Sequence, residues 1–119
     1  MPTASCHCGA IRLQVARAPR TLTDCNCSIC RRYGALWAYY KASSVRVLTA
    51  RDATSVYSWG RKALQFHRCK VCGCLTHHER KKKRRDSTLA INARNFEPDA
   101  IATARIRRLD GASTWKSLD

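Results

Sequence analysis

Short runs in which apolar and polar residues alternate recur along the whole chain. Ile11, Leu13 and Val15 face one way in the first of them, with Arg12 and Gln14 opposite. Val45 and Val47 alternate with Arg46 and Leu48, and Leu64 and Phe66 with Gln65 and His67. Leu89, Ile91 and Ala93 alternate with Ala90, Asn92 and Arg94, and Ala102, Ala104 and Ile106 with Thr103, Arg105 and Arg107. A period of two residues belongs to half-buried strands, so each run predicts a strand with its apolar set turned inward. The aromatic and β-branched stretches ALWAYY (35–40) and TSVYSW (54–59) predict two more. Helix signals are few. CSICRRYG (27–34) supports one or two turns capped by Ser28 or Asn26 and closed by Gly34, and EPDAIATA (97–104) supports a single turn with Pro98 in it. With no internal repeat and no linker, the expectation is one domain over residues 1–119. Its fold class is mainly β, in antiparallel sheets with one or two very short helices.

Composition sharpens this picture. The chain has 119 residues, of which 23 are Lys or Arg and 8 are Asp or Glu, giving a net charge of +15. That excess calls for an anionic partner, whether a small anion, an acidic surface or nucleic acid. A chain of this length buries roughly two-thirds of its unfolded surface, so metal clips would help it. No apolar run at the N-terminus reads as a signal peptide, and none elsewhere is long enough to cross a membrane. The expected location is therefore the reducing cytoplasm, where eight cysteines are read as metal or catalytic residues rather than disulfides.

The cysteines fall into three clusters, CHCG (6–9), CNCSIC (25–30) and CKVCGC (69–74). One or two residues between cysteines let a tight turn offer both sulfurs to one ion. Gly9 and Gly73 follow the pairs directly and supply the left-handed backbone freedom that such knuckles use. Cys6, Cys8, Cys69 and Cys72 are thus assigned to a closed, structural zinc site. Cys25, Cys27 and Cys30 supply three thiols, and an open fourth position marks a catalytic or ligand-binding zinc. Cys74, His77 or His78 could instead close it, and iron–sulfur ligation is the less fitting alternative. Zinc on three thiolates keeps a net negative charge. It is then a weak activator of water but a good seat for an incoming thiol.

At these residues the chain resembles the glutathione-dependent formaldehyde-activating enzyme family, which also contains centromere protein V. The resemblance rests on SCHCGAIRLQV, CNCSICRRYG, FHRCKVCGC and INARNFEPDA…RRLDG, in order, and spans about Ser5 to Gly111. It implies a zinc-stabilised β fold of the Mss4-like, or β-tent, type. It also implies a structural zinc on Cys6, Cys8, Cys69 and Cys72 and a catalytic one, whose occupancy can be partial, on Cys25, Cys27 and Cys30. The implied activity is carbon–sulfur lyase chemistry that joins glutathione to formaldehyde as S-hydroxymethylglutathione. In that setting Arg31 or Arg32 is the candidate partner for a glutathione carboxylate. His77 or His78 is the candidate for proton transfer or substrate contact. Tyr33 and Trp37 are pocket candidates that are as readily core, while His7 and His67 are expected at the surface.

One segment departs from the family pattern. HHERKKKRRDST (77–88) holds six consecutive basic residues, Arg80 to Arg85. It reads as a solvated loop between strands that end near His77 and begin near Leu89. Two functional readings remain beside that one, the attraction of anionic substrates and phosphate contact with nucleic acid. The second would make the protein a zinc-stabilised nucleic-acid or chromatin-associated module, although the run lacks aromatics for stacking bases.

Overall fold

A computed structural model describes residues 1–49, 52–60, 62–84 and 87–119. A small sheet is ordered β1 (Thr3–Ser5), β2 (Arg12–Val15), β5 (Val45–Val47). A larger sheet is ordered β10 (Arg105–Leu109), β3 (Thr21–Cys25), β4 (Trp37–Lys41), β9 (Thr88–Asn92), β8 (Leu75–Arg80), β7 (Leu64–Cys69), β6 (Thr54–Tyr57). The fold is mainly β, as expected. The sheets are antiparallel throughout except at one edge, where β10 joins β3 in parallel. The chain reaches β10 from β9 through a short helix, α2 (Pro98–Ile101), and so crosses β4 and β3 to add β10 at the far edge of the sheet.

The alternating pattern locates the core where a strand has only one buried face. Ile11, Leu13 and Val15 are each 1 % exposed. Leu13, Val15 and Ala4 from the small sheet pack with Leu22, Ala38 and Ile91 from the large one in one apolar cluster. A second cluster holds Trp37, Phe66, Ala90 and the three cysteines 25, 27 and 30. Trp37 and Ala38 are neighbours in β4, and Ala90 and Ile91 in β9, so those central strands are covered on both faces. Alternation is uninformative there, and Ala90 and Asn92 are buried along with the expected Leu89 and Ile91.

The predicted inward set Ala102, Ala104 and Ile106 is corrected. Helix α2 and its turn interrupt the alternation, and the strand starts only at Arg105. Ile106 is exposed, while Arg107 and Leu109 are half-buried. The strand expected to end near His77 runs on to Arg80, because Gln65 and Leu64 of β7 pair with Glu79 and Arg80. Beyond it, the Lys81 N–H donates to the Ala63 carbonyl and Lys83 pairs with Glu79. Arg85, the last of the six basics, lies outside the described residues. No helix among the described residues is long and apolar enough to cross a membrane.

Candidate active site

Cys6 and Cys8 sit in the turn between β1 and β2, while Cys69 closes β7 and Cys72 lies in the turn from it to β8. The two turns come from different sheets, yet their four sulfurs all lie within 4.8 Å of one another. Cys8 Sγ is 3.7 Å from Cys6 Sγ and 3.6 Å from Cys69 Sγ. Four thiolates around a tetrahedral zinc, with bonds near 2.3 Å, stand roughly 3.7–3.8 Å apart, so the set fits that ion. Gly9 and Gly73 have φ of 84° and 80°, the left-handed geometry that the knuckles call for. Backbone N–H groups of Ile11, Val71 and Cys72 point at Cys6 and Cys69 sulfur. Backbone N–H groups of Cys74 and Cys8 hold the Cys72 thiol down at about 5, as a thiolate ligand needs.

The second set is built by one strand end and one helix. Cys25 closes β3, Cys27 caps α1 (Ser28–Tyr33), and Cys30 lies in its first turn. The cap is Cys27, where Ser28 or Asn26 was expected, because its thiol accepts the Cys30 N–H at 3.4 Å. Burial opposes ionisation of Cys27, but the N–H groups of Cys30 and Ile29 and the neighbouring thiols hold it below the usual thiol range. Burial pushes Cys25 and Cys30 up, and the Trp37 indole N–H, 3.3 Å from Cys30 Sγ, works the other way. The three ligand atoms converge within 4.8 Å, and among the described residues no fourth Cys, His, Asp or Glu joins them. Cys74 packs beside the four-cysteine set instead. Gly111 presses so closely on this site that a Cβ there would collide with Cys25 Sγ.

Two adjoining hollows open beside the three sulfurs. The first, about 670 Å³, is lined by the three cysteines together with Tyr39, Phe66, His78 and Arg80, among others. The second shares Ser28, Ile29 and Trp59 with it and carries Arg32, Arg68, Tyr33 and Tyr57. Of the arginines singled out by sequence, Arg32 lines this groove, its Nη1 donating to the Ser28 carbonyl at 2.7 Å, whereas Arg31 lines neither hollow. Arg68, which sequence reasoning missed, also lines the groove, while its Nε is buried without a hydrogen-bond partner. Its signal was present only as one more charge beside Cys69. Trp37 is wholly buried beneath the site.

The histidine assignment is corrected by strand geometry. His77 and His78 are neighbours on β8 and therefore face opposite ways. His78 packs edge-on against Trp37 with ring centroids 4.5 Å apart and lines the first hollow. Burial, and then the nearby His77, lower its pKa to about 4, so it is neutral near pH 7. His77 turns to the other face, stacks on His67 at 4.3 Å and approaches Glu79 at 3.6 Å. His67, expected at the surface, is half-buried in this cluster, where burial lowers its pKa to about 4. The register that pairs His67 with His77 was not readable from either run alone.

The family model described as glutathione-dependent formaldehyde-activating enzyme matches residues 1–106. The chain belongs to that family. A crystal structure of a Rhodobacter sphaeroides protein is similar to it, with a TM-score of 0.69 and 26 % identity, covering 87 % of this chain and 98 % of that one.

Proposed function

We propose that residues 1–119 act as one zinc-dependent domain that makes and breaks the carbon–sulfur bond between glutathione, or a closely similar anionic thiol, and an aldehyde. The observation that carries this reading is the convergence of three cysteine sulfurs, with no fourth protein ligand among the described residues, at the floor of a cavity. Cys25, Cys27 and Cys30 would hold one zinc, and Cys6, Cys8, Cys69 and Cys72 a second, structural one. A zinc ion held by three thiolates supplies an open position where an incoming thiol loses its proton.

The chain's own groups account for the remaining steps. Arg32 and Arg68 line a cationic groove that adjoins the cysteine hollow, and a guanidinium there suits a substrate carboxylate. Arg31 lies outside that groove and would act only through its charge. His78 takes the pocket role considered for His77. In the forward direction the substrate sulfur attacks the carbonyl carbon, a C–S bond forms, and the C=O π pair moves to oxygen, which takes up a proton. The Tyr39 phenol lines the hollow and, protonated near neutral pH as phenols are, is the pocket group suited to give that proton. The reverse sequence is the lyase direction, and neither involves an oxidation. Free cysteines with depressed pKa values also need a reducing compartment, which keeps the cytoplasm as the proposed location.

The test is calorimetric titration of reduced glutathione into the zinc-loaded chain in buffers of different ionisation enthalpy. Saturable binding with about one proton released is expected, and Cys27→Ser should abolish it. Absence of both heat and proton release in the unmodified protein would remove the thiol reading.

A further inference from the structure

We infer that the carbonyl partner is a bulky apolar or aromatic aldehyde, received in the hollow above Cys25, Cys27 and Cys30, and that Trp115 is a specificity-determining wall of that hollow. This rests on the thiol-binding reading above and adds the identity of the second substrate class. A formaldehyde adduct adds two non-hydrogen atoms to the sulfur, yet the hollow holds about 670 Å³. That is the size of a site for a drug-sized ligand, roughly 300–1,000 Å³. Its walls include Trp59, Leu64, Phe66, Leu109 and Trp115, with Arg80 the cation among its lining residues. The charged groove on the far side of Trp59, with Arg32 and Arg68, already suits the carboxylates of the thiol. The two halves of an adduct therefore have separate places: the anionic body lies along the arginines and the aldehyde-derived substituent enters the aromatic hollow.

The wall is held by a segment outside the 1–106 family match. Beyond β10 the chain folds back as a strap over the cysteine site. Asn26 Nδ2 donates to Asp110 Oδ1 at 3.1 Å, and the Ala112 N–H returns a bond to Asn26 Oδ1 at 2.9 Å. The Trp115 N–H donates to the Asp110 carbonyl at 2.7 Å, and Trp115 adopts φ 60°, a left-handed conformation that is costly for so large a residue. Trp115 is 67 % exposed, leaving apolar area that a substituent in the hollow would cover. At its end the strap is tied down by Asp119, whose Oδ1 meets Arg108 Nε at 3.0 Å.

The test uses the full zinc-loaded chain and two thioether probes, S-methylglutathione and S-hexylglutathione, titrated by calorimetry. At roughly 0.8 kcal/mol for each buried methylene, even partial burial of the hexyl chain makes it bind tenfold or more tightly than the methyl probe. Trp115→Ala should bring the ratio of the two affinities down several-fold, and Trp115→Phe should keep most of it. Equal affinities, no binding of either probe, or a ratio untouched by Trp115→Ala would each overturn the inference. The probes need no ionisation at sulfur. If reduced glutathione failed to release a proton while the hexyl preference held, the thiol reading would fall and the apolar pocket would stand.

Discussion

Two residues that carry no metal-binding atom set the quality of the three-cysteine site. Gly111 lets the backbone of the strap lie against Cys25 sulfur, and any side chain there must displace the ligand. Gly111→Ala is therefore expected to lose about one zinc per chain by elemental analysis while the larger part of the fold survives. Trp37 acts from below through its indole N–H on Cys30 Sγ. Trp37→Phe keeps most of the packing but removes a buried donor to a group that must be ionised, a loss of about 1–3 kcal/mol. Since that donor pulls the Cys30 pKa down, its removal raises it. Protons then compete better, and zinc affinity at the second site should fall and depend more steeply on pH, as a chelator competition series would show. Neither role was legible in the sequence. Trp37 reads there only as a pocket or core residue, and Gly111 only as the last residue of the motif RRLDG.

At the scale of elements, the readable strands were those with a single buried face. The run around Ile11, Leu13 and Val15 gave both the strand and its orientation, whereas β9, buried on both faces, gave only the strand. The cysteine spacing anticipated the two sets of sulfurs that converge in the structure, because the turn geometry of each knuckle is local. The hollows were not legible, because their walls come from β4, β7, β8 and the strap, which only tertiary packing brings together. Strand β8 shows the same limit, since separating His77 from His78 required its end to be known. On its reverse face Glu79 meets His77, His67 and Lys83. Burial opposes ionisation of that carboxylate, but the neighbouring His77 and Lys83 prevail and lower its pKa from 4.5 to about 2. A depressed carboxylate pKa contributes stability that is full above the unfolded value and is lost as pH falls through the folded one. Glu79→Gln should therefore be less stable than the parent near neutral pH. The gap between them in denaturant melts should close between about pH 4.5 and 2. A constant gap down to pH 2 would show that Glu79 acts by packing alone.

For the whole molecule, the two cysteine sets differ in what they connect. Cys6 and Cys8 hang from the small sheet and Cys69 and Cys72 from the large one, so an ion among them staples the two sheets. Cys25, Cys27 and Cys30 lie within six residues, and a metal there closes no long loop. Closing a loop between residues 8 and 69 restricts the unfolded chain far more than closing one between 25 and 30. Metal held only by the folded state adds its binding free energy to stability. In a chain whose interior is divided among three clusters, that contribution is a large share of the total. Cys69→Ser is thus expected to lower the melting temperature sharply and to expose the core between the sheets, read as dye binding. Cys27→Ser should leave the melting temperature close to that of the parent while glutathione binding disappears. If Cys27→Ser unfolded the chain to the same extent as Cys69→Ser, the three-cysteine set would be a second structural clip and the open corner would have no separate function. Retention of the fold with loss of thiol binding would instead divide the molecule as its connectivity does, one metal joining the sheets and the other serving the substrate.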